Sequence, residues 1–465
     1  MNTKIKNYLA AIVILFFTSS LLAQHQHQNS KYHKDAVPAS MQDPDIAKEI
    51  LIKNVKIFNG TDGTLITGKD VVILGNKIDK IIPTGGNEKG YHEVIDGNGG
   101  FLTPGLIDCH WHTLLGVSEE EFFGGAQESY VNIFAGKEAG ETLLRGVTTV
   151  RDAAGDTYGL RESIDKGVIP GPRMYVSGLG MSQLSGHGDF RNVGMKPMEW
   201  GGSPQSAPGS DGFAWLVTGE VQMMAAVRQN LFLGASQIKI CVAGGVSSFT
   251  DPLYVVEFTD KEIQAAVAAA SDYGTYVMAH SHAPAGVIRA VKNGVKSIEH
   301  GSMLNEEAAK LMAENDVVYI PSVQVLAQLK PLYTDPIRKA KLQEAIDGTG
   351  AAILAAKKHG LTIGYGTDLL FSPEGRKDQL KDLGLRKQWF TSAEIMIQAT
   401  GNGSKIVGLS GERNPYGKIG VIEEKAMADI LIYSKNPLKD VSIVEDHENN
   451  LKLIIKDGKV YKNTL

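Results

Sequence analysis

Thr103-Pro-Gly-Leu-Ile-Asp-Cys-His-Trp-His112 joins a Pro-Gly turn, an apolar extended segment and two histidines, and we interpret the rest of the chain outward from it. On a β-strand, side chains two residues apart point to the same face, so His110 and His112 would direct two imidazoles at one spot. Converging imidazoles are what a metal site requires. A lone His-x-His motif more often packs or caps a strand end, so a metal site needs further ligands at other strand ends.

The middle of the chain alternates short apolar segments, rich in β-branched residues, with amphipathic helical patterns such as 127–145, 261–271 and 306–315. Together with the opening strand, the apolar segments give eight predicted strands. The other seven cover 147–151, 173–177, 237–242, 275–280, 295–300, 317–321 and 361–368. This alternation predicts an α/β fold, a (β/α)8 TIM barrel of parallel strands over residues 105–411.

Both ends of the chain have a different pattern, in which short strands are joined by tight Asn-Gly, Asp-Gly and Gly-Asn turns. Strands are predicted at 51–58, 71–74 and 78–82, and again at 428–433, 451–455 and 459–461. Strand segments joined by such turns form hairpins. We therefore expect a small β-sandwich domain assembled from residues 48–104 and 412–465.

Polar side chains stand at the C-terminal ends of the predicted barrel strands, where such barrels carry their active sites. They belong to the first, fourth, fifth, sixth and eighth strands: His110, His112, Lys239, His280, His282, His300 and Asp368. Each has a plain explanation, for example a surface charge for Lys239 or a helix N-cap for Asp368. All the plain explanations would have to hold together, whereas charges pointing into a barrel are costly unless they are paired or metal-bound.

With these residues the sequence resembles the metal-dependent amidohydrolase superfamily, and more narrowly its imidazolonepropionase-like and prolidase-like branch, over about residues 50–461. Besides the opening motif, the resemblance rests on Gly146-Val-Thr-Thr-Val-Arg-Asp152, Gln237-Ile-Lys-Ile240, Ala279-His-Ser-His282, Ile298-Glu-His-Gly301 and Gly366-Thr-Asp368. It implies a binuclear site with three ligands on one ion, two on the other, and a bridging lysine carboxylated on its amine. The implied ligands are His110, His112 and Asp368 on the first ion and His280 and His300 on the second, with Lys239 as the bridge.

The donor chemistry agrees with this ligand set. A lysine ammonium would be repelled by two dications, whereas the N6-carboxylated (carbamylated) Lys239 is an anionic oxygen ligand. Imidazoles, a carboxylate and a carbamate suit divalent ions, with Zn²⁺ as the first choice. Two such ions about 3.5–4 Å apart can share a hydroxide that attacks a carbonyl carbon. Asp368 would then act as the catalytic proton shuttle to the departing amine, so we expect hydrolysis of an amide or peptide C–N bond.

Two histidines are expected to bind substrate. His282 shares a strand face with His280, and His187 lies in the loop after the third strand, where it could meet a substrate carboxylate. A solvated loop histidine is an equally good interpretation of His187. Arg151 and Asp152, at the end of the second strand, are expected to form a structural ion pair rather than a catalytic one.

The resemblance implies small-molecule or dipeptide substrates, of the Xaa-Pro or Xaa-Arg/Lys type, or N-acyl amino acids as in ochratoxin-degrading enzymes. A lactonase or phosphotriesterase would use the same metals. A different class of protein, an exported metal-binding protein without turnover, is also open. The joint presence of Asp368 and Lys239 argues against it, because metal binding alone does not need a proton shuttle.

Residues 1–23 have two early lysines followed by an apolar run, which is typical of a secretory signal peptide. An uncleaved anchor is the second interpretation, but the run is short for a membrane span of ~20 residues. Residues 24–47 form a polar linker rich in histidine and glutamine. We therefore expect an exported protein, periplasmic or secreted, with no stable membrane span after removal of the signal peptide.

The net charge and the cysteine content limit the binding partners and the disulfides that we expect. A net charge of −5 over 465 residues gives no electrostatic argument for nucleic-acid binding. The only two cysteines, Cys109 and Cys241, cannot form a disulfide framework and are expected to be buried free thiols. Assembly into a homo-oligomer stays open.

Overall fold

A computed structural model describes residues 48–191, 194–197, 200–201 and 213–465 of the chain. The predicted signal peptide (1–23) and polar linker (24–47) lie outside the described residues. No helix in the described part is both long enough and apolar enough to cross a membrane.

From residue 48 onward, five strands precede the barrel: β1 (Glu49–Phe58), β2 (Leu65–Ile66), β3 (Lys69–Leu74), β4 (Lys77–Pro83) and β5 (Glu93–Pro104). The hairpin between β3 and β4 turns at Gly75-Asn76, where Gly75 has a φ of 61° that glycine adopts without steric cost. β1 lies between β3, which runs antiparallel to it, and β5, which runs parallel to it.

The described residues in the middle of the chain form nine strands: β6 (Leu106–Trp111), β7 (Val147–Asp152), β8 (Arg173–Val176), β9 (Gly180–Ser182), β10 (Ala214–Leu216), β11 (Ile238–Cys241), β12 (Val277–Ser281), β13 (Ser297–His300) and β14 (Val318–Ile320). Its α-helices are α1 (Glu119–Gly124), α2 (Glu128–Leu144), α3 (Tyr158–Asp165), α4 (Gly219–Leu233), α5 (Asp260–Asp272), α6 (Pro284–Lys292), α7 (Glu306–Glu314), α8 (Gln324–Leu329), α9 (Pro336–Lys358), α10 (Lys381–Leu385), α11 (Ser392–Ile397) and α12 (Gly403–Gly408). Single-turn helices include Leu114–Gly116 and Glu374–Asp378. The predicted alternation of strand and helix is confirmed.

The barrel strands are parallel, and they close into the predicted (β/α)8 barrel. β6, β7 and β8 pair in order, and the amide of Ser236 donates to Val176 O at 2.7 Å, which links β8 to the start of β11. From there β11, β12, β13 and β14 pair in order. β9 and β10 are additional short strands on the edge of β11, and the sequence pattern does not predict them.

The eighth predicted strand, 361–368, lies in its expected place but is not a regular strand. It bonds to Tyr319 of β14 on one side, and on the other the amide of Cys109 donates to Tyr365 O at 2.8 Å. A side chain at Gly366 would approach Ile320 to 2.4 Å and the Cβ of His110 to 2.9 Å. Only glycine permits this close approach to Ile320 and His110. The segment therefore closes the barrel at Gly366 without the regular pairing of a strand.

Strands from both ends of the chain form one domain, as expected. After the barrel come β15 (Ile430–Tyr433), two short helices, α13 (Ser442–Glu445) and α14 (His447–Asn450), and then β16 (Leu451–Lys456) and β17 (Lys459–Asn463). β15 pairs with β5, so the hydrogen-bonded path runs β17-β16-β15-β5-β1-β3-β4. The turn after β16 meets the turn after β3, because Asn76 donates to Asp457 at 3.0 Å. The path therefore folds back on itself around one apolar core.

Candidate functional site

All eight predicted site residues lie together at the C-terminal ends of the barrel strands. Seven of them line one cleft with about 800 Å³ of space, its open mouth included: His112, His187, Lys239, His280, His282, His300 and Asp368. His110 is fully buried beside them. Side chains from five separate strand ends and one loop therefore converge, as the barrel geometry predicts.

Asp368 is at the centre of the cluster. Its Oδ1 lies 3.3 Å from His110 Nε2 and 3.1 Å from His112 Nε2, and its Oδ2 lies 3.4 Å from His300 Nδ1. Ligand atoms of His110, His300 and Asp368 all lie within 4.8 Å of one another, as a group that could hold a metal ion. Since His300 approaches Asp368 about as closely as His110 does, the two ligand sets implied by the resemblance are contiguous in this structure.

The imidazole rings form a continuous series across the cleft. The ring of His300 lies 4.7 Å from that of His110 and 4.6 Å from that of His280, measured between centroids. His280 in turn stacks on His187 at 4.1 Å. Burial holds the pKa of His112 at about 4 and that of His282 at about 3, and it lowers the pKa of His280 and His300 well below the ordinary value. These imidazoles are therefore neutral at pH 7, which is the form that binds metals.

The two charged residues of the cleft differ in their partners. Burial alone would raise the pKa of Asp368, but His300, His110 and His112 hold that pKa well below its ordinary range, so the carboxylate is ionised. Burial lowers the pKa of Lys239, and no described residue forms a hydrogen bond or ion pair with its amine. A buried lysine without a counter-ion favours the neutral amine, which is the form that can react with carbon dioxide.

Two site residues have left-handed backbone conformations. The φ angle is 66° at His300 and 57° at Asp368. This conformation costs roughly 1–3 kcal/mol at a non-glycine residue, and it persists only where the surroundings enforce it. Here the amide of Asp368 donates to His110 O at 2.8 Å, and the Tyr319 hydroxyl donates to His300 O at 3.0 Å. Strain at two strand ends whose side chains meet in one cleft indicates that these side chains are placed for function rather than for stability.

A buried carboxylate, Glu299, orients His110, although the sequence pattern assigns it no role. Its Oε2 lies 2.7 Å from His110 Nδ1, and Arg151 Nη2 donates to both carboxylate oxygens at 2.8 Å. Burial opposes ionisation of Glu299, but the charge of Arg151 and the His110 hydrogen bond lower its pKa to about 2. The ionised carboxylate accepts a hydrogen bond from the Nδ1–H of His110, and this directs the His110 Nε2 towards Asp368.

The predicted ion pair between Arg151 and Asp152 is wrong. Neighbouring residues on a strand point to opposite faces, so Arg151 reaches Glu299 while Asp152 turns away. Asp152 accepts hydrogen bonds from the amide and hydroxyl of Thr113, both at 3.0 Å, and from the hydroxyl of Thr157 at 2.5 Å. Both side chains hold barrel elements together, as a structural role requires, but through separate partners.

Two further residues fix the ends of the first and eighth strands to each other. Asp108 accepts from the hydroxyl of Thr367 at 2.7 Å and from the amide of His110 at 3.1 Å. Arg376 donates to the backbone oxygens of His112, at 2.5 Å, and Leu369. The spacing of Asp108, two residues before His110, is a signal for an inward-pointing residue, whereas the position of Arg376 is set by tertiary structure alone.

His187 is anchored in the wall of the cleft. Its Nδ1 lies 2.9 Å from Ser248 Oγ and 3.4 Å from Asp251 Oδ2, and its side chain is only 16% exposed. Its backbone amide donates to Glu257 at 2.6 Å. The alternative interpretation of His187 as a solvated loop histidine is therefore wrong. Cys109 and Cys241 are both buried free thiols, as expected.

Comparison with known proteins gives consistent matches. The model of the amidohydrolase family matches residues 101–461. The chain is 29% identical to an ochratoxinase of Aspergillus niger over 389 residues, which are 78% of this chain and 75% of the relative. A prolidase solved in complex with N-methylphosphonate-L-proline matches with a TM-score of 0.82 at 30% identity, over 89% of this chain and 100% of its own. A Xaa-Pro dipeptidase solved with methionine in its active site matches with a TM-score of 0.78 at 29% identity, over the same shares of the two chains.

Proposed function

The chain belongs to the amidohydrolase family and is a hydrolase acting on amide or peptide bonds, and from this premise we propose that it cleaves dipeptides or N-acyl amino acids with two divalent metal ions. The observation that carries the proposal is the cluster around Asp368. It combines neutral buried imidazoles, an ionised carboxylate and a buried lysine without a described counter-ion.

The residues present fit the metals. His110, His112 and Asp368 would hold one ion, and His280 and His300 the other. Lys239, carboxylated on its amine, would lie between them. This donor set suits Zn²⁺. Bound there, such ions supply Lewis acidity, which lowers the pKa of water and polarises an amide carbonyl.

Asp368 is the group that moves the proton. Its carboxylate is ionised and lies against neutral imidazoles, so it can accept a proton from the attacking water and deliver it to the departing amine nitrogen. The strained backbone at Asp368 holds the carboxylate in the cleft rather than in the barrel wall. A fixed base of this kind removes the need to order the side chain during the reaction.

His282 and His187 would bind substrate. His282 Nδ1 lies 3.1 Å from Ser302 Oγ, so its Nε2 is left for a group in the cleft. His187 is held by Ser248 through Nδ1 in the same way. Two histidines whose outer nitrogens are fixed can orient the polar end of a substrate next to the reacting amide.

The structural relatives support the substrate class, since a prolidase and a Xaa-Pro dipeptidase match at 29–30% identity over nearly all of their length. The test is to prepare metal-free protein, restore it with Zn²⁺ in the presence of bicarbonate, and screen dipeptides, N-acyl amino acids, lactones and phosphotriesters. We expect metal-dependent release of free amino acids from members of the first two classes. Turnover confined to lactones or phosphotriesters, or metal binding without any turnover, would contradict the proposal.

A further inference from the structure

Away from the histidines, the cleft is lined by apolar side chains. Five large apolar side chains of this part form what we call the apolar wall: Phe213, Leu326, Leu329, Leu370 and Phe371. The ring of Phe213 lies 5.6 Å from that of His112, measured between centroids, so the wall begins directly beside the proposed metal ligands around Asp368, which we call the metal cluster. A substrate bound at the cluster would therefore place one of its groups against the wall.

The wall is a fixed part of the protein core. Leu326, Leu329, Leu370 and Phe371 belong to a buried apolar cluster that also contains Phe122. The Phe122 ring contacts Phe371 and Phe213, with centroids 6.0 and 6.4 Å apart. The first of these pairs is tilted and the second is edge to face, and aromatic rings at such distances stabilise one another, so the wall keeps its shape without a ligand.

Phe371 is the one residue of the wall with a strained backbone. Its φ is 55°, a left-handed conformation that is a genuine outlier for a bulky residue. Its amide donates to Leu115 O at 2.8 Å, which fixes the strained turn just after Asp368. Strain of this kind is found where a side chain must occupy one position in a site.

The wall carries no charge among the described residues. Apart from the histidines, the charged side chains that line the cleft are Lys239 and Asp368, and both belong to the metal cluster. Arg338 packs over the ring of Tyr333, which belongs to the same buried apolar cluster, but it is already engaged by Asp335 and Glu119. An ionised substrate side chain placed against the wall would lose its hydration and gain no partner from the part of the chain that the structure describes, which is strongly unfavourable.

We propose that the apolar wall is the specificity subsite of this enzyme and takes a large uncharged group, an aromatic ring or a branched aliphatic chain, on one side of the scissile amide. Substrates with lysine, arginine, aspartate or glutamate side chains at that position are rejected. This inference rests on the proposed function, and it selects among the substrates named there by excluding dipeptides of the Xaa-Arg/Lys type.

The test uses the zinc-loaded full chain and the sixteen dipeptides in which each position is Ala, Phe, Lys or Asp. A single missing methylene in an apolar pocket changes kcat/KM by about 10–200-fold. At one of the two positions, we therefore expect Phe to exceed both Lys and Asp by at least about 10-fold. Phe371→Ala should lower kcat/KM for the Phe dipeptides by about 10-fold or more and leave the Ala dipeptides within about threefold.

Controls separate this result from a folding defect. Phe371→Leu keeps most of the apolar volume and should lose less than Phe371→Ala. Phe232→Ala, on the exposed face of α4 and outside the cleft, should behave as the unaltered enzyme. Calorimetric binding of free L-phenylalanine and L-lysine to the zinc-loaded protein gives a second measurement that does not require turnover.

The outcomes are distinguishable. Equal or better turnover with Lys or Asp at both positions would overturn the subsite, as would a Phe371→Ala loss of equal size for every dipeptide. Tight binding of L-phenylalanine over L-lysine, weakened by Phe371→Ala, supports the subsite even if no dipeptide is cleaved, and in that case only the proposed function fails. Binding of L-lysine as tight as that of L-phenylalanine would overturn the subsite independently.

Discussion

Glu299→Gln is predicted to weaken both the fold and the metal site, because one carboxylate serves Arg151 and His110 together. The substitution keeps the shape of the side chain but leaves one oxygen where there were two. That oxygen can accept a hydrogen bond from Arg151 or from His110 Nδ1, which lie 2.8 and 2.7 Å from the present carboxylate. The NH2 group of the glutamine then faces whichever donor is left, and two donors cannot bond to each other. The larger loss of stability comes from Arg151, which would be buried without its counter-ion.

Two independent estimates give the magnitude. Removing one partner of a buried ion pair typically costs about 3–5 kcal/mol of unfolding free energy. The fall in the pKa of Glu299, from 4.5 as the ordinary value to about 2 in the folded chain, corresponds to about 3 kcal/mol at neutral pH. Because the folded pKa is depressed, this stabilisation is present above pH 4.5 and is lost as the pH falls towards 2. Metal affinity should also fall by about 10–100-fold, because the tautomer of His110 is no longer fixed.

The assay is urea unfolding of metal-free protein at pH 7, followed by competitive zinc titration of the folded variant. Glu314→Gln is the matched control, since Glu314 pairs with Lys310 at 3.7 Å on the exposed surface, where a pair contributes at most about 1 kcal/mol. A loss of less than 1 kcal/mol for Glu299→Gln, with zinc affinity unchanged, would refute the reasoning about this residue.

Three further predictions concern other parts of the chain. Burial raises the pKa of Glu257 from 4.5 to about 8, so the contribution of this residue to stability is lost as the pH rises through this range, by about 1.4 kcal/mol per pH unit. Glu257→Gln should therefore flatten the pH dependence of the free energy of unfolding in urea above pH 5, and an unchanged profile would contradict the raised pKa. Lys239→Ala should lower zinc content and abolish turnover, with partial recovery in short-chain carboxylic acids, and full activity without them would exclude a carboxylated lysine. We propose export of the chain, so protein recovered outside the cytoplasm should begin near Gln24 on N-terminal sequencing, whereas an intact Met1 in the membrane fraction would disprove cleavage.

The barrel is predictable from the sequence because its signals are local. Alternating strand and helix patterns give the fold, and capping boxes such as Thr259 with Glu262 fix where helices begin. The eighth strand is found only in part, since its irregular backbone follows from the approach of Gly366 to Ile320 and His110, residues distant in the sequence. β10 is missed because it is only three residues long and because it pairs with β9, outside the alternation of barrel strands and helices.

The candidate metal site is predictable for a similar reason. Each ligand stands at a strand end, and parallel strand ends meet at one mouth, so His110, His280 and Asp368 can be brought together without knowledge of their distances. The surrounding residues are not predictable in this way. Glu299 and Arg376 act through partners on other elements, His110 and His112, and no spacing along the chain links either residue to its partner.

The most direct test of metal-dependent hydrolysis is kcat measured beside metal content for Asp368→Asn on the best substrate found. Asparagine keeps the shape and one oxygen ligand but cannot act as the base, and positioned proton transfer contributes about 10²–10⁴-fold to the rate. We predict that kcat falls by at least about 100-fold while part of the metal stays bound. Near-normal turnover with metal retained would contradict the assignment of Asp368 as the proton shuttle, because an asparagine would then serve as well as the ionised carboxylate.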